Sequence, residues 1–525
     1  MNPKEVLKFF VEKGFLVDKE VLDLFSETTD KESAKLVIER LKNHTQQRII
    51  TKEIFLKNRE KASEFFLNLP EENQKNLEKL KIKLGLSIEI SKEVSENIGA
   101  EKNNSVEMKI SVGVEVQNSK PFPNKKIEIS DFAKHFRNRY NELKNILQEH
   151  SELKNLVSIN KILGNVSSVS VIGMISDKRV TKNSNLIFEV EDFTGATKVI
   201  VNQNKKEVYE KANDICLDSV VGFKCSGNNK VLFANDIVFP ESVLFERKKS
   251  PVEESIAFVG DLHFGSKLFF EKSFLKFVDY LNGNFQNSEE AKKIKYLFVV
   301  GDLITGIGNY PNQEKNLKIK DLEEQFIQIA EILRKIRKDI TIIISSGNHD
   351  CVRLMEPQPI LDKKFAWPLY NLDNVIITEN PSRINIGKKY GFPGFNVLTY
   401  HGFSFPYYAD NVASLVKEKA INAPDKIMSY LLKNRHLSPT HSTLTQHCPL
   451  ENDALLIRKI PDIFLAGHLH KSAISYSNNI LLVSVSCWED MTSYQEKRGN
   501  KPDFCKVPLF NLKTRQIKIL DFEEK

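Results

Sequence analysis

The sequence contains no CxxC pair. Its six cysteines (Cys216, Cys225, Cys351, Cys448, Cys487 and Cys505) are scattered over 525 residues, which argues against a disulfide scaffold and against a four-cysteine zinc module. Long apolar runs are missing too. The longest, such as YLFVV at 296–300, fall far short of the ~20 residues that a membrane helix needs. The opening MNPKEVLKFF meets Glu5 and Glu12 at once and shows no signal-peptide apolar stretch, so a soluble intracellular protein with no membrane role is expected. Neither sign of charge dominates: 76 Lys+Arg against 69 Asp+Glu leave +7, which permits nucleic-acid contact without requiring it. What is present is 41% hydrophobic and 28% charged residues, in a chain long enough for roughly two to four domains.

Composition divides the chain. Residues 1–50 read as a small helical domain, with Gly14 ending one helix, Asp18 capping a second, and Thr29 with Glu32 forming a capping box before AKLVIERL. Residues 51–125 are rich in Lys, Glu, Asn and Ser with few aromatics after Phe66, which predicts a flexible charged linker. Residues 126–160 are expected to be a connecting helix, whose stripe of Phe132, Phe136, Tyr140, Leu143 and Leu147 recurs at helical spacing and reads as core. Across 161–245 short β-branched runs alternate with Asn, Gly and Lys turns, predicting an OB-like β-barrel. Its basic residues Lys178, Arg179, Lys182 and Lys198 have few aromatics beside them, so both single-strand binding and a subunit contact remain open. From 250 to 525 apolar runs alternate with helical segments, the α/β pattern of one catalytic domain.

Those apolar runs share a feature. IAFVG leads into Asp261-Leu262-His263, YLFVVG into Asp302, ITIIISS into Gly347-Asn348-His349-Asp350, FNVLTY into His401, and DIFLAG into His468-Leu469-His470. Open α/β sheets place their sites where strands end at the carboxyl side. One His or Asp at one strand end is ordinary; five motifs at five ends point to a single site. Mixed oxygen and imidazole donors suit Mn²⁺, Fe or Zn²⁺ better than Ca²⁺ or Mg²⁺. His441, His447 and Cys448 also lie close in sequence, but their spacing matches no common zinc module.

The order D-x-H, G-D, G-N-H-D, H-G, G-H-x-H resembles that of the calcineurin-like metallophosphoesterases. The resemblance implies an α/β metallophosphoesterase fold of layered β-sheets flanked by helices, here preceded by the OB-like barrel and the helical N-terminus. It also implies two divalent metal ions, with Asp261, His263 and His470 on one, Asn348, His401 and His468 on the other, and Asp302 bridging them. His349 would act as general acid with Asp350 orienting it. Nuclease members favour Mn²⁺.

The segments GDLITGIGNYPNQE (Gly301–Glu314), GNHDCVRLMEPQP (Gly347–Pro359), YHGFS (Tyr400–Ser404), RHLSP (Arg435–Pro439) and PDIFLAGHLH (Pro461–His470) are similar to the small subunits of archaeal family D DNA polymerases. Thr305 and Ser346 depart from that pattern. The likeness runs over about 130–525 and implies a proofreading 3′→5′ exonuclease within a two-subunit replicative DNA polymerase. Implied partners are a large catalytic subunit, DNA and the sliding clamp, and the implied location is the cytoplasm, with the nucleoid. No clamp-binding peptide is evident. Arg353, Tyr310 and Phe403 are candidates for DNA contact, with pairing to Glu356 the competing role for Arg353 and loop packing that of the two rings. A stand-alone metallophosphoesterase or repair nuclease, and a scaffold subunit with little turnover, are the rival readings.

Overall fold

Runs of Val, Ile and Phe five to seven residues long punctuate the C-terminal half, and each is a strand buried on both faces, as all five residues of Ser255–Val259 are. The structure, a computed structural model, describes residues 3–28, 34–35, 37–39, 49–50, 113–117, 126–285, 289–492, 495–496 and 501–524. It divides into two units, Met1–Ser105 and Val106–Lys525.

In the first unit, helices α1 (Pro3–Glu12) and α2 (Lys19–Thr28) accompany a parallel pair of two-residue strands, β1 (Leu16–Val17) and β2 (Ile49–Ile50). Val6, Phe10, Phe15, Val21, Phe25, Val37, Ile38 and Ile50 form its core. Asp18 Oδ1 accepts from Val21 N at 2.8 Å, the cap its sequence position implies. The Thr29–Glu32 box lies outside the described residues.

The second unit begins with a correction. Of the stretch expected to be a flexible linker, 51–125, the structure describes Gly113–Gln117, and strand β3 (Val114–Gln117) there is not a tether. Its alternation puts Val114 and Val116 on the inner side, and it pairs antiparallel with Arg383–Ile386. Helix α3 (Ile129–Gln148) follows. Tyr140, Leu143 and Leu147 of the expected stripe are buried, whereas Phe132 and Phe136 are only half-buried. The same helix sinks two polar residues, His135 and Arg139, completely. Arg139 Nε donates to Asp453 Oδ2 at 2.7 Å, and its other nitrogens meet Pro439 O, His135 Nε2 and His447 Nδ1.

Strands β4 (Val166–Val180), β5 (Leu186–Asp192), β6 (Gly195–Val201), β7 (Val220–Gly227) and β8 (Val231–Val238) form a closed barrel in the order β4-β5-β6-β8-β7, with helix α4 (Lys206–Asn213) between β6 and β7. The 15-residue β4 pairs with both β5 and β7. Asp192 Oδ1 closes the β5–β6 turn by accepting from Thr194 N and Gly195 N. Lys178 Nζ is spent on the carbonyls of Asn213 and Ile215, and Arg179 pairs with Asp177 and Glu189.

The remaining strands are β9 (Ser255–Val259), β10 (Ile294–Val300), β11 (Thr341–Ser345), β12 (Val375–Thr378), β13 (Ser382–Ile386), β14 (Phe395–Tyr400), β15 (Ile463–Ala466), β16 (Ala473–Ser477), β17 (Ile480–Ser484), β18 (Lys506–Asn511) and β19 (Ile517–Asp521). Among the described residues they make two six-stranded sheets, β12-β11-β10-β9-β18-β19 and β16-β17-β15-β14-β13-β3. β9 to β12 run parallel in the first, and β14, β15 and β17 in the second. Ile256, Phe258, Phe298 and Ile343 of one sheet share a core with Val397, Ile463, Leu465 and Val483 of the other. Helices α5 (Glu271–Leu281), α6 (Leu322–Arg334) and α7 (Lys363–Tyr370) contribute to the core that includes alternate residues of β9 and β10. Helices α8 (Phe405–Asn411) and α9 (Pro424–Asn434) do the same with Phe464 and Leu482. The result is two sheets between two helical layers, with β9, β10 and β11 of one and β14 and β15 of the other ending in the five motifs. Among the described residues no helix is long and apolar enough to cross a membrane.

Candidate metal centre

The loops after β9, β10, β11, β14 and β15 bring the polar motifs together from both sheets. They do so in a backbone that side chains rarely adopt: Asp261, His263, Asp302, His468 and His470 all have φ between +46° and +71°. The left-handed region costs a non-glycine residue roughly 1–2 kcal/mol, and strain of this kind gathers at functional sites.

Three overlapping groups of donor atoms result, each within 4.8 Å: Asp261, His263 and His470; Asp302, His401 and His468; and His263, Asp302 and His349. Asp302 Oδ2 lies 3.2 Å from His401 Nε2 and 3.8 Å from His263 Nε2, so one carboxylate oxygen faces both halves. Asn348 Oδ1 completes one half, 3.0 Å from His401 Nε2. In the other, His263 Nε2 and His470 Nε2 stand 3.0 Å apart, the separation of two adjacent ligands with metal–nitrogen bonds of about 2.1 Å. His401 Nδ1 lies 3.0 Å from the Val300 carbonyl. A carbonyl only accepts, so Nδ1 carries a proton, and Nε2 is the nitrogen turned toward Asp302 and Asn348, where a metal ion would take the place of its proton.

The electrostatics also suit a cation. Burial and the neighbouring Asp302 push the Asp261 carboxyl well up, and the same two causes lift Asp350 to about 7. Burial favours the neutral forms of His263 and His468, well below their ordinary value, and lowers His470 to about 4. For His401 burial acts downward, but the Asp302 carboxylate outweighs it and raises the ring to about 10. Crowded buried acids beside three imidazoles held neutral, and a fourth whose proton Asp302 retains, are a set that divalent ions would stabilise.

His349 sits where the sequence puts it, its ring edge-on to His263 at 4.7 Å. Its backbone N donates to Asp302 Oδ1 at 2.7 Å. The expected role of Asp350 is corrected. Its oxygens accept from Ile304 N (3.0 Å) and Gly347 N (2.8 Å), cross-bracing two loops, while the His349 ring rests on the Thr305 carbonyl instead, 3.1 Å from Nδ1. The side chain is drawn away from His349 because those two buried amides, one in its own turn and one in the loop after β10, need an acceptor. The expected pairing of Arg353 with Glu356 is corrected too: its guanidinium donates to the carbonyls of Met355 and Pro357. Glu356 is buried against Tyr400 Oη at 2.9 Å, and burial raises it to about 8. Phe403 lies against the His468 ring, and the half-exposed Tyr310 accepts from Asn316 Nδ2 through its hydroxyl.

Sequence reasoning missed four neighbours. Gln495 Nε2 is 2.8 Å from His470 Nδ1. Glu489, raised to about 7 by burial, feels His349 and Asp302. Gln313 and Gln325 lie under the loop that carries Asp302. Of these only Gln313 lies within a motif segment, NYPNQE, and nothing in its spacing marks it as buried.

Gly347 shows how little slack the site has. A Cβ there would lie 2.3 Å from both Asp302 N and Asp302 Oδ1. Gly347→Ala is expected to leave the fold intact and weaken metal binding by about 10–100-fold, measured by calorimetric titration with Mn²⁺.

The family of DNA polymerase alpha/epsilon B subunits matches residues 256–475. The DNA polymerase II small subunit of Methanothermobacter thermautotrophicus is 36% identical over 398 residues, covering 75% of this chain and 80% of that protein. The DNA polymerase II small subunit of Pyrococcus abyssi is 34% identical over 405 residues, covering 75% of this chain and 64% of that protein. Among solved structures, that of an archaeal phosphodiesterase overlays 51% of this chain and 98% of its own at 12% identity, with a TM-score of 0.26.

Proposed function

The chain belongs to the DNA polymerase II small-subunit family, and from that premise we propose that it is the 3′→5′ exonuclease of a two-subunit archaeal replicative polymerase. The observation that carries the reading is the pair of donor groups meeting at Asp302 Oδ2. Asp261, His263 and His470 would hold one divalent ion, Asn348, His401 and His468 the other, with Asp302 between them. Mn²⁺ is the ion proposed, with Fe and Zn²⁺ compatible with the same donors. When bound, such a pair supplies a nucleophile at neutral pH and neutralises charge on the phosphoryl oxygens.

The chain's own residues do the rest. Val300 O fixes the His401 tautomer, and Asp350 locks the loops carrying Asp302 and Asn348 to one another. His349 gives a proton to the departing 3′-oxygen. Tyr310 and Phe403 flank a frayed terminal base, and Arg353 keeps its guanidinium half-buried over the adjacent turn. The barrel's strand order, with one long strand shared by two neighbours, supports an OB-fold, for which contact with the large subunit or with DNA is the proposed role. The large subunit carries polymerisation, the sliding clamp is a further partner, and the work is done in the cytoplasm at the nucleoid.

The test is Mn²⁺-dependent shortening of 5′-labelled single-stranded and 3′-mismatched DNA. Wild type is expected to shorten both from the 3′ end, and His349→Ala to lose about 10²–10⁴-fold. No cutting by Mn²⁺-loaded wild type, with and without the large subunit, would establish the scaffold reading instead.

A further inference from the structure

The loop from Gly301 to Glu314 carries more buried amide chemistry than a connection needs. Gln313 and Gln325 are both almost fully buried. Gln313 Nε2 donates to Thr305 O at 3.0 Å, and its Oε1 accepts from Asn309 N at 2.8 Å. Gln325, on α6, accepts from Gly306 N through Oε1 at 3.0 Å and donates to Ile319 O at 2.9 Å. Asn309 Nδ2 donates to the same Thr305 carbonyl at 3.0 Å. That carbonyl is the one facing His349 Nδ1 at 3.1 Å.

We infer that Gln313 and Gln325 are positioning residues for His349, holding the Thr305 carbonyl as a fixed acceptor that aims the imidazole at the leaving oxygen. This inference rests on the exonuclease reading. His349 Nδ1 faces Thr305 O at 3.1 Å and Asn309 Nδ2 at 3.2 Å; in the acid form of the ring both nitrogens carry protons, so Nδ1 donates to the Thr305 carbonyl and Nε2 is the nitrogen left to face the cluster. Gly306 makes the seat tight: at φ +66°, a Cβ there would lie 2.1 Å from His349 O. The loop backbone therefore touches the backbone and the ring of the acid at once, and two buried glutamines pin it from beneath.

In the reaction the oxygen of water bonds to phosphorus, and the bond from phosphorus to the 3′-oxygen breaks. The Nε2 proton of the imidazolium goes to that oxygen, and the proton lost by water restores the imidazolium. An alkoxide leaving group depends on that proton, whereas nitrophenolate departs without it. The two kinds of ester thus separate aim from integrity.

The experiment compares wild type, Gln313→Met and Gln325→Met, as full chains loaded with Mn²⁺, on DNA and on bis-p-nitrophenyl phosphate. Titration with Mn²⁺ serves as the fold control. A loose acid costs about 10²-fold, so kcat on DNA is expected to fall by that factor with KM little changed, and the DNA-to-nitrophenyl rate ratio to fall at least about tenfold. Equal losses on both esters in both variants would overturn the positioning role and leave the nuclease standing. If wild type cuts neither ester, the exonuclease reading falls, and this inference with it.

Discussion

Asp302→Asn is expected to slow phosphodiester hydrolysis by at least about 10³-fold, or ~4 kcal/mol of transition-state stabilisation. Both carboxylate oxygens of Asp302 are in use. Oδ1 accepts from His349 N at 2.7 Å, and Oδ2 faces His401 Nε2 and His263 Nε2 from the two halves of the site. An amide has one oxygen. If it keeps the bond to His349 it presents NH₂ to the cluster; if it turns, the His349 backbone loses its acceptor. Either way the negative charge between the two donor groups is gone. The checks are kcat on DNA and bound Mn²⁺ per chain, with fewer ions expected, and a smaller rise in melting temperature on adding Mn²⁺. Activity within tenfold of wild type at unchanged stoichiometry would remove Asp302 from its bridging place.

The second large effect lies outside the site. Arg139→Met is expected to cost about 3–5 kcal/mol, because it strands a buried carboxylate. Asp453 accepts from Arg139 Nε and from His436 Nε2 at 2.9 Å, and all three side chains are almost fully buried. The histidines around them have one consistent proton arrangement. His135 and His447 accept from Arg139, so each must donate through its other nitrogen, to Leu450 O and Ser438 Oγ respectively. His436 donates to Asp453 and accepts from Ser438 N. Every ring is neutral, so a proton added to His135 or His447 would set two donors face to face. His441 and His447, close enough in sequence to raise the question of zinc, belong to this clasp: His441 Nδ1 accepts from His447 N.

The pH dependence follows in sign. Burial, with Arg139 beside it, depresses His436 from 6.5 to about 4, and burial likewise lowers His135 and His447. The unfolded rings take protons near 6.5, the folded ones later. Stability is therefore full above pH 6.5 and falls as the pH drops from there toward 4. Urea unfolding at pH 8, 6 and 5 reads this directly. A flat profile, or an unchanged midpoint in Arg139→Met, would show that the clasp does not bear on stability.

Much of the centre was legible because strand ends in α/β sheets leave a local signature. Each donor follows its own apolar run, and the spacing inside D-x-H or G-H-x-H is short enough to read without coordinates. What could not be read depends on distant partners. Asp350 looks like an orienter of His349 because it is adjacent in sequence, yet the unpaired amides of Gly347 and Ile304 claim it. β3 was hidden among charged residues because four residues of alternation are weak beside the composition around them, and its partner strand lies far along the chain. Arg139 falls at the edge of the apolar stripe by periodicity, three residues after Phe136 and four before Leu143, but nothing local says that Asp453 will neutralise it.

That last pairing has a consequence for how the chain is made. Arg139 and Asp453 are 314 residues apart. At roughly 5–20 residues per second, the arginine leaves the ribosome about 15–60 s before its counter-ion exists. For that interval α3 displays a bare guanidinium and two flanking phenylalanines to whatever else is in the cell, and β3 likewise waits for β13. The newborn N-terminal half therefore can neither close this clasp nor pair β3 until the C-terminal half arrives.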